Sequence, residues 1–272
     1  MEAVVQTVGG TFDSFKHHTT MLNWQDRFRA AGIHLGISLG VAVLAGVLVF
    51  ALWYPYPYRD ISGGRELFLI VMAVDVAIGP MITFAIFNRA KPRPELRRDL
   101  GVVGLLQLAA LGYGLWTVFV ARPVHLVFEY NRFRVVHAVD VPDELMARVP
   151  EGIDALPLSG PTLLSLRPFK DKQEETEATM VALQGISLSA RPDLWQTYEA
   201  GRAAILAAAK PVSHLKSRFR SSVAAIDAAA TARGRAADGL VCLPLVDRKA
   251  AWTVLLDPAT AQVVGFVPLD SF

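Results

Sequence analysis

The 272-residue chain is 53% apolar and only 19% charged, whereas an average soluble domain is roughly 25% charged. Its net charge of +2 is too small to point to nucleic acid, and its single cysteine, Cys242, leaves no intrachain disulfide to form. The apolar excess lies in the first 121 positions, so the composition is that of a membrane protein carrying a soluble domain.

Residues 1–30 read as a cytoplasmic amino-terminal tail. The first 20 residues show no period, and Met21, followed at once by the amphipathic WQDRFRA, reads as an alternative start. The first apolar run begins near Ala30 and is too long for the h-region of a signal peptide. Residues 31–122 read as a transmembrane domain of three helices, over about 31–53, 66–87 and 101–121. About 20 apolar residues in a helix cross the hydrocarbon of a bilayer. The first span carries Gly36 and Gly40 and ends in Trp53-Tyr54-Pro55-Tyr56-Pro57-Tyr58. Trp and Tyr favour the membrane–water interface, and the prolines stop the helix.

The second span, ELFLIVMAVDVAIGPMITFAIF, organises the rest, because it holds one acid, Asp75, and the pair Gly79-Pro80. A charge at mid-span costs about 2.5–3.5 kcal/mol on insertion scales and faces other helices or water. Gly79 lies four residues on, on the same helical face, where a neighbour can approach. Pro80 lacks an N–H, so it should kink the helix and free the Val76 carbonyl. Two readings of Asp75 stand side by side. One is a contact to a partner helix, with Gly79, Pro80, Gln107 and Tyr113 forming the rest of that surface. The other is an internal bond to His34, Gln107 or Tyr113. The glycines Gly36, Gly40, Gly79, Gly112 and Gly114 have the same two readings, a groove for a foreign helix or packing of the spans on one another. A proton pump would need a relay of ionisable groups, which the spans do not offer.

Charge sets the expected orientation. Residues 88–100 carry five Lys/Arg (Arg89, Lys91, Arg93, Arg97, Arg98), and residues 59–65 carry two, Arg59 and Arg65. The positive-inside rule puts the 88–100 loop and the amino terminus in the cytoplasm and everything after Arg122 on the far side, the periplasm of a bacterium.

Residues 123–272 read as a small α+β periplasmic domain, long enough for one core. VHLVFEYNRFRVVHAVDV alternates around Tyr130-Asn131-Arg132 and predicts a β-hairpin. A Pro- and Gly-rich connection runs through Pro161. DKQEETEATMVALQGI predicts a helix with an acidic first turn, Asp193–Ala209 a second helix and Ser221–Ala232 a third. LVCLPLV, AAWTVLL and QVVGFVPL predict a terminal three-stranded meander. Cys242 should be buried in its first strand as a small hydrophobe.

No catalytic constellation emerges. His17, His18, His34, His125, His137 and His214 have no metal-ligand spacing. No GxSxG occurs. Gly9-Gly10 and Gly63-Gly64 do not follow a strand or precede a GK[ST], so neither is a phosphate loop. The run Glu174-Glu175-x-Glu177 reads as a solvated helix start, and Asp60 and Glu66 near the outer interface are thin support for a modifying enzyme. The expectation is no enzyme, no cofactor and no metal.

Three runs carry a family resemblance: GIHLGISLGVAVLAGVLVFALWYPYPY, GGRELFLIVMAVDVAIGPMITFAIF and DLGVVGLLQLAALGYGLWTVFVARPVHLVFEYNRFRVV. With IHL, WYP, GGREL, VDVxxGP and ARPVxLVF in order, residues 31–138 resemble the TfpX/TfpZ family of type IV pilin accessory proteins. The likeness is looser beyond, though the final VxGFxPL strand fits. The 20 residues ahead of Met21 depart from the family's short start. The resemblance implies a multi-pass inner-membrane, chaperone-like factor whose partners are the lipid bilayer and a major type IV pilin, both its membrane helix and its head. It defines no catalytic residues. A membrane sensor that binds a small ligand is a competing reading, weakened by the lack of a cytoplasmic domain.

Overall fold

A computed structural model describes residues 24–272; the alternative start at Met21, His17, His18 and Gly9-Gly10 lie outside the described residues. Three helices are long and apolar enough to cross a membrane. The first, α1 (Trp24–Leu48), continues as one π-helical turn, Val49–Trp53. A short α2 (Tyr58–Ile61) leads to α3 (Gly64–Ile86), and α4 runs from Arg93 to Val120. Helix α1 begins at Trp24, so the last residues assigned to a tail are helical. The basic loop is shorter than expected, because Arg93, Arg97 and Arg98 already belong to α4. Pro92 sets its start, as a proline before the first turn loses no helical bond there. Helix α3 stays helical through Pro80.

Helix α3 sits between the other two and packs on both. Small residues set the approach: a Cβ at Gly114 would lie 2.4 Å from Val71, and one at Gly64 would lie 2.2 Å from the Tyr54 ring. In contrast, Gly36, Gly40 and Gly112 meet nothing within 4 Å.

The soluble half is one mixed sheet with helices on it. The hairpin is β1 (Pro123–Glu129) and β2 (Arg132–His137), turned at Tyr130-Asn131 with Tyr130 at φ +58°, the left-handed region. Next come β3 (Thr162–Leu166), α5 (Lys172–Leu183), β4 (Trp195–Thr197) and α6 (Arg202–Ala208). A two-residue β5 (Lys210–Pro211) precedes α7 (Val212–Arg218) and α8 (Val223–Thr231). Then the meander follows as β6 (Val241–Val246), β7 (Ala251–Leu256) and β8 (Val263–Val267). The strand order is β4-β3-β1-β2-β6-β7-β8, with β5 pairing β6. The β1–β3 and β2–β6 pairs are parallel.

Asp171 caps α5 by accepting from the Glu174 N–H at 2.8 Å, and Gly185 at φ +103° takes the chain out of the helix. One expectation is corrected. Residues 193–209 are not one helix but strand β4, a 3-10 turn and the short α6. Trp195 decides this: it is fully buried, pairs with Leu166 across the sheet, and donates its indole N–H to the Ser189 carbonyl at 2.8 Å. Burying that ring against β3 outweighs local helix propensity.

Both sheet faces are covered, which is why the central strands read as nearly unbroken apolar runs. One face joins Leu126, Phe128, Phe133, Leu243 and Leu245 to Tyr58 and Ile61 of the membrane-side segment. The other packs on α5 around Trp195 and on α7 and α8 around Cys242 and Leu255.

Candidate functional site

Inside the spans, three of the residues proposed as a partner surface, Asp75, Gly79 and Gln107, meet each other. The Gln107 Nε2 donates to the Asp75 main-chain oxygen at 3.3 Å and lies 3.4 Å from Asp75 Oδ1. Gly79 makes room for that same amide, since a Cβ there would come within 1.8 Å of Gln107 Nε2. The close neighbour at the Asp75–Gly79 face is therefore the chain's own α4. Gln107 reaches the Asp75 carbonyl, not the Val76 carbonyl freed by Pro80. Tyr113 is elsewhere: it is 69% exposed on α4 and packs on Trp116. His34 pairs with buried Thr83, its Nδ1 2.5 Å from Oγ1. Of the three internal partners weighed for Asp75, the geometry selects Gln107.

A second polar constellation sits where the helices meet the sheet. The apolar core of the domain reaches into the membrane-side loop through Tyr58 and Ile61, so polar groups at the rim are trapped between the two halves. The Ser62 hydroxyl donates to Asp247 Oδ2 at 2.5 Å, across 185 positions of sequence. Asp247 directly follows β6, and its side chain is 1% exposed. His137, closing β2, is equally buried; its Nε2 lies 3.7 Å from Asp247 Oδ1 and its Nδ1 3.2 Å from Asp140 Oδ2. Arg248 pairs with Asp140 from the solvent side. Lys249 reaches back to Glu66 at 3.4 Å, and its stem fills the space beside Gly63. Burial raises the Asp247 carboxyl, against the pull of His137 and the Ser62 hydroxyl. Burial also acts on Asp140, but the His137 hydrogen bond and the Arg248 charge outweigh it and hold that carboxyl at about 2.

Arg122 forms the other half of the junction. It follows α4 and is almost fully buried. It donates to Phe119 O at 2.9 Å, Leu156 O at 3.0 Å and Pro157 O at 3.2 Å, and its guanidinium lies 3.8 Å from the Phe119 ring centroid. A cation at a helix carboxyl end meets the negative end of the helix dipole. Tyr54 donates to Val118 O at 3.2 Å, and the Gly160 N–H to Leu52 O at 2.6 Å. His125 is a satisfied core histidine, 2.7 Å from Thr162 Oγ1 and 2.9 Å from Ala155 O, and burial lowers it to about 4.

Chemically, this is a latch. Ser62 donates to a carboxylate and not to His137, so the hydroxyl has no imidazole base. Among the described residues, no group of three or more His, Cys, Asp or Glu could hold a metal ion. A cleft of about 400 Å³ beside the latch is lined by Arg134, Asp140, Asp247 and Arg248. Ser62, Asp247 and Arg122 carry no sequence signal of their own, because a turn serine, a strand-end aspartate and a post-helix arginine are usually solvated.

The family model "Fimbrial assembly protein FimB" matches residues 22–63. The chain is 35% identical to a fimbrial assembly protein, serogroup I, of Dichelobacter nodosus over 248 residues, 90% of this chain and 95% of the relative. The chain belongs to the fimbrial assembly protein family. A second member, serogroup E1 of the same organism, is 33% identical over 90% of this chain and 95% of its own length. No solved structure matches. The matched stretch 22–63 holds α1, the tyrosine–proline segment and Ser62, so it includes one side of the latch.

Proposed function

We propose that this chain is an inner-membrane accessory factor for a type IV pilin, of the TfpX/TfpZ kind, which holds pilin in the bilayer and promotes its assembly or display. In this reading the amino terminus is cytoplasmic, the sheet domain is periplasmic, and the protein acts by binding and not by catalysis. The observation that carries it is the junction: Arg122, Gly160 and the Ser62–Asp247 pair fasten the sheet domain to the helix ends. The domain is thereby held at a set height above the bilayer. A substrate with one apolar helix and a head outside the membrane can touch both parts at once. The relatives' names support a role in fimbrial assembly.

The test is deletion of the gene followed by measurement of pilin level and intact-pilin mass. Loss of pilin at unchanged mass is the expected result. A changed mass points instead to a pilin-modifying enzyme, and normal pilin with normal pili overturns the proposal. Orientation is checked with a reporter active only in the periplasm: active when fused after Ala138, silent when fused after Arg93.

A further inference from the structure

The connection between β2 and β3 does not stay clear of the helices. Residues 155–161, ALPLSGP, carry no charge. They are fastened to the ends of two spans. Arg122, just after α4, takes the Leu156 and Pro157 carbonyls at 3.0 and 3.2 Å. Gly160 gives its N–H to the Leu52 carbonyl at 2.6 Å, and a Cβ there would lie 3.3 Å from the Pro55 ring. Leu52 and Phe119 both belong to apolar helices long enough to cross a membrane. Trp53 and Phe119 meet at 5.1 Å between ring centroids, so the two span ends are level. Only Leu158 and Ser159 separate Pro157 from Gly160, a reach of at most about 10 Å. The backbone of Leu158 is therefore held at the level of the last apolar turn.

Irregular backbone at that depth is tolerated only where protein takes up its polar groups. Here Arg122 takes two carbonyls and Leu52 takes the Gly160 N–H. Asp154 accepts from the Leu156 N–H at 3.1 Å, and Pro150 O from the Ile153 N–H at 3.2 Å. The Leu158 side chain, by contrast, is 69% exposed. A lone exposed leucine on a soluble surface needs no explanation. This one is set apart by its level and its company. Leu52 and Tyr56, on either side of Pro55, are exposed as well, and the Tyr56 ring lies 5.5 Å from the Arg59 guanidinium. Leucine and tyrosine beside an arginine suit the boundary between acyl chains and headgroups.

We propose that residues 156–160 rest in the bilayer interface, with the Leu158 side chain in the upper acyl region. The sheet domain is then seated on lipid as well as on its own spans. Phospholipid is the occupant of this face because the face is uncharged and level with two span ends. The inference requires that the spans cross a bilayer; it does not depend on the pilin reading or on which side the domain lies.

The test places a nitroxide spin label at Leu158→Cys in a Cys242→Ala background, with the full-length protein in phosphatidylcholine nanodiscs. Oxygen concentrates among acyl chains, whereas a nickel chelate stays in water. The reference is Asn131→Cys, an exposed site at the hairpin turn, separated from Arg122 by a strand about 20 Å long. Oxygen should relax the label at Leu158→Cys more than the nickel chelate does, and the order should reverse at Asn131→Cys. Ser159 is exposed too, so Ser159→Cys takes the place of Leu158→Cys should that variant fold poorly, with the same order expected. Stronger relaxation by nickel at this loop puts it in water and overturns the proposal. Weak relaxation by both reagents means that protein, such as a second copy of the chain, covers the face, and overturns it equally.

Discussion

Arg122→Met is the sharpest test of how the two halves are joined. Methionine keeps the volume against the Phe119 ring but removes the charge and all three hydrogen bonds. The Leu156 and Pro157 carbonyls are then left without their donor, at about 1–3 kcal/mol for each buried acceptor. Loss of the cation from the end of α4 adds about 0.3–1 kcal/mol. Against this, the guanidinium no longer has to be desolvated, which returns part of the loss. The net expectation is about 2–4 kcal/mol of destabilisation. For a domain of this size, that is roughly 5–15 °C in melting temperature. Arg122→Lys keeps the charge but not the fork, so it should fall between. The assay is thermal unfolding in detergent followed by tryptophan fluorescence, with limited proteolysis of residues 149–161 as the local readout. An unchanged melt together with an unchanged cleavage rate would show that Arg122 is not the clamp described.

Four further outcomes follow from the same geometry. Gly64→Ala drives a methyl into the buried Tyr54 ring and should cost about 1–3 kcal/mol, whereas Gly36→Ala, with open space around it, should melt like the parent. Asp140 has a depressed pKa, so its contribution is present above the unfolded value near 3.9 and is lost as pH falls toward 2. Because its side chain is a third exposed, that contribution is only about 1 kcal/mol, and Asp140→Asn should flatten the stability profile between pH 4 and 2. Cys242→Ser should cost about 1–3 kcal/mol by burying a hydroxyl, and native Cys242 should react slowly with a polar thiol reagent. Asp75→Leu leaves Gln107 its bond to the Asp75-position carbonyl, so the protein should stay inserted and abundant while pilus display falls; loss of the protein from membranes would make the contact purely structural.

The spans were legible because about 20 consecutive apolar residues have no other common use, and their helices begin or end within a few residues of the turn-forming prolines and glycines. The hairpin and the terminal meander were legible for a similar reason, since each is built of short, mostly apolar runs set between turn residues. Strand β3 was not, because TLLSL follows a Pro- and Gly-rich connection and is too short to show a period. Residues 193–209 misled because Ala-rich α6 lends its helical pattern to a segment whose fate is set by Trp195 and a neighbour strand 30 positions away. Asp75 stood out as an acid in an apolar run, yet no spacing rule could choose among His34, Gln107 and Tyr113. Only helix packing brings Gln107 to it and turns Tyr113 away. The latch was beyond any local pattern, since Ser62 and Asp247 lie 185 positions apart.

The π turn at Val49–Trp53 connects these observations. A π turn adds a residue to the helical repeat, and here the Tyr54 N–H donates to Val49 O at 2.7 Å. Each residue turns an α-helix by about 100°, so one extra residue re-aims everything that follows it. Trp53 thereby meets Phe119 at 5.1 Å, Tyr54 turns inward to the Val118 carbonyl, and the Leu52 carbonyl is left to accept from Gly160. An uninterrupted α-helix would point these three groups elsewhere and use the Leu52 carbonyl within its own ladder. The prolines then prevent the helix from recovering its register, and Tyr58 and Ile61 drop into the core of the sheet domain. The WYPYPY segment is therefore more than an interfacial aromatic belt. Two of its tyrosines, Tyr54 and Tyr58, are buried, and only Tyr56 faces out, beneath the Arg59 guanidinium. Tyr54 ties the end of α1 to α4, and Tyr58 carries the segment into the core of the sheet domain, so the two rings do different jobs on either side of Pro55.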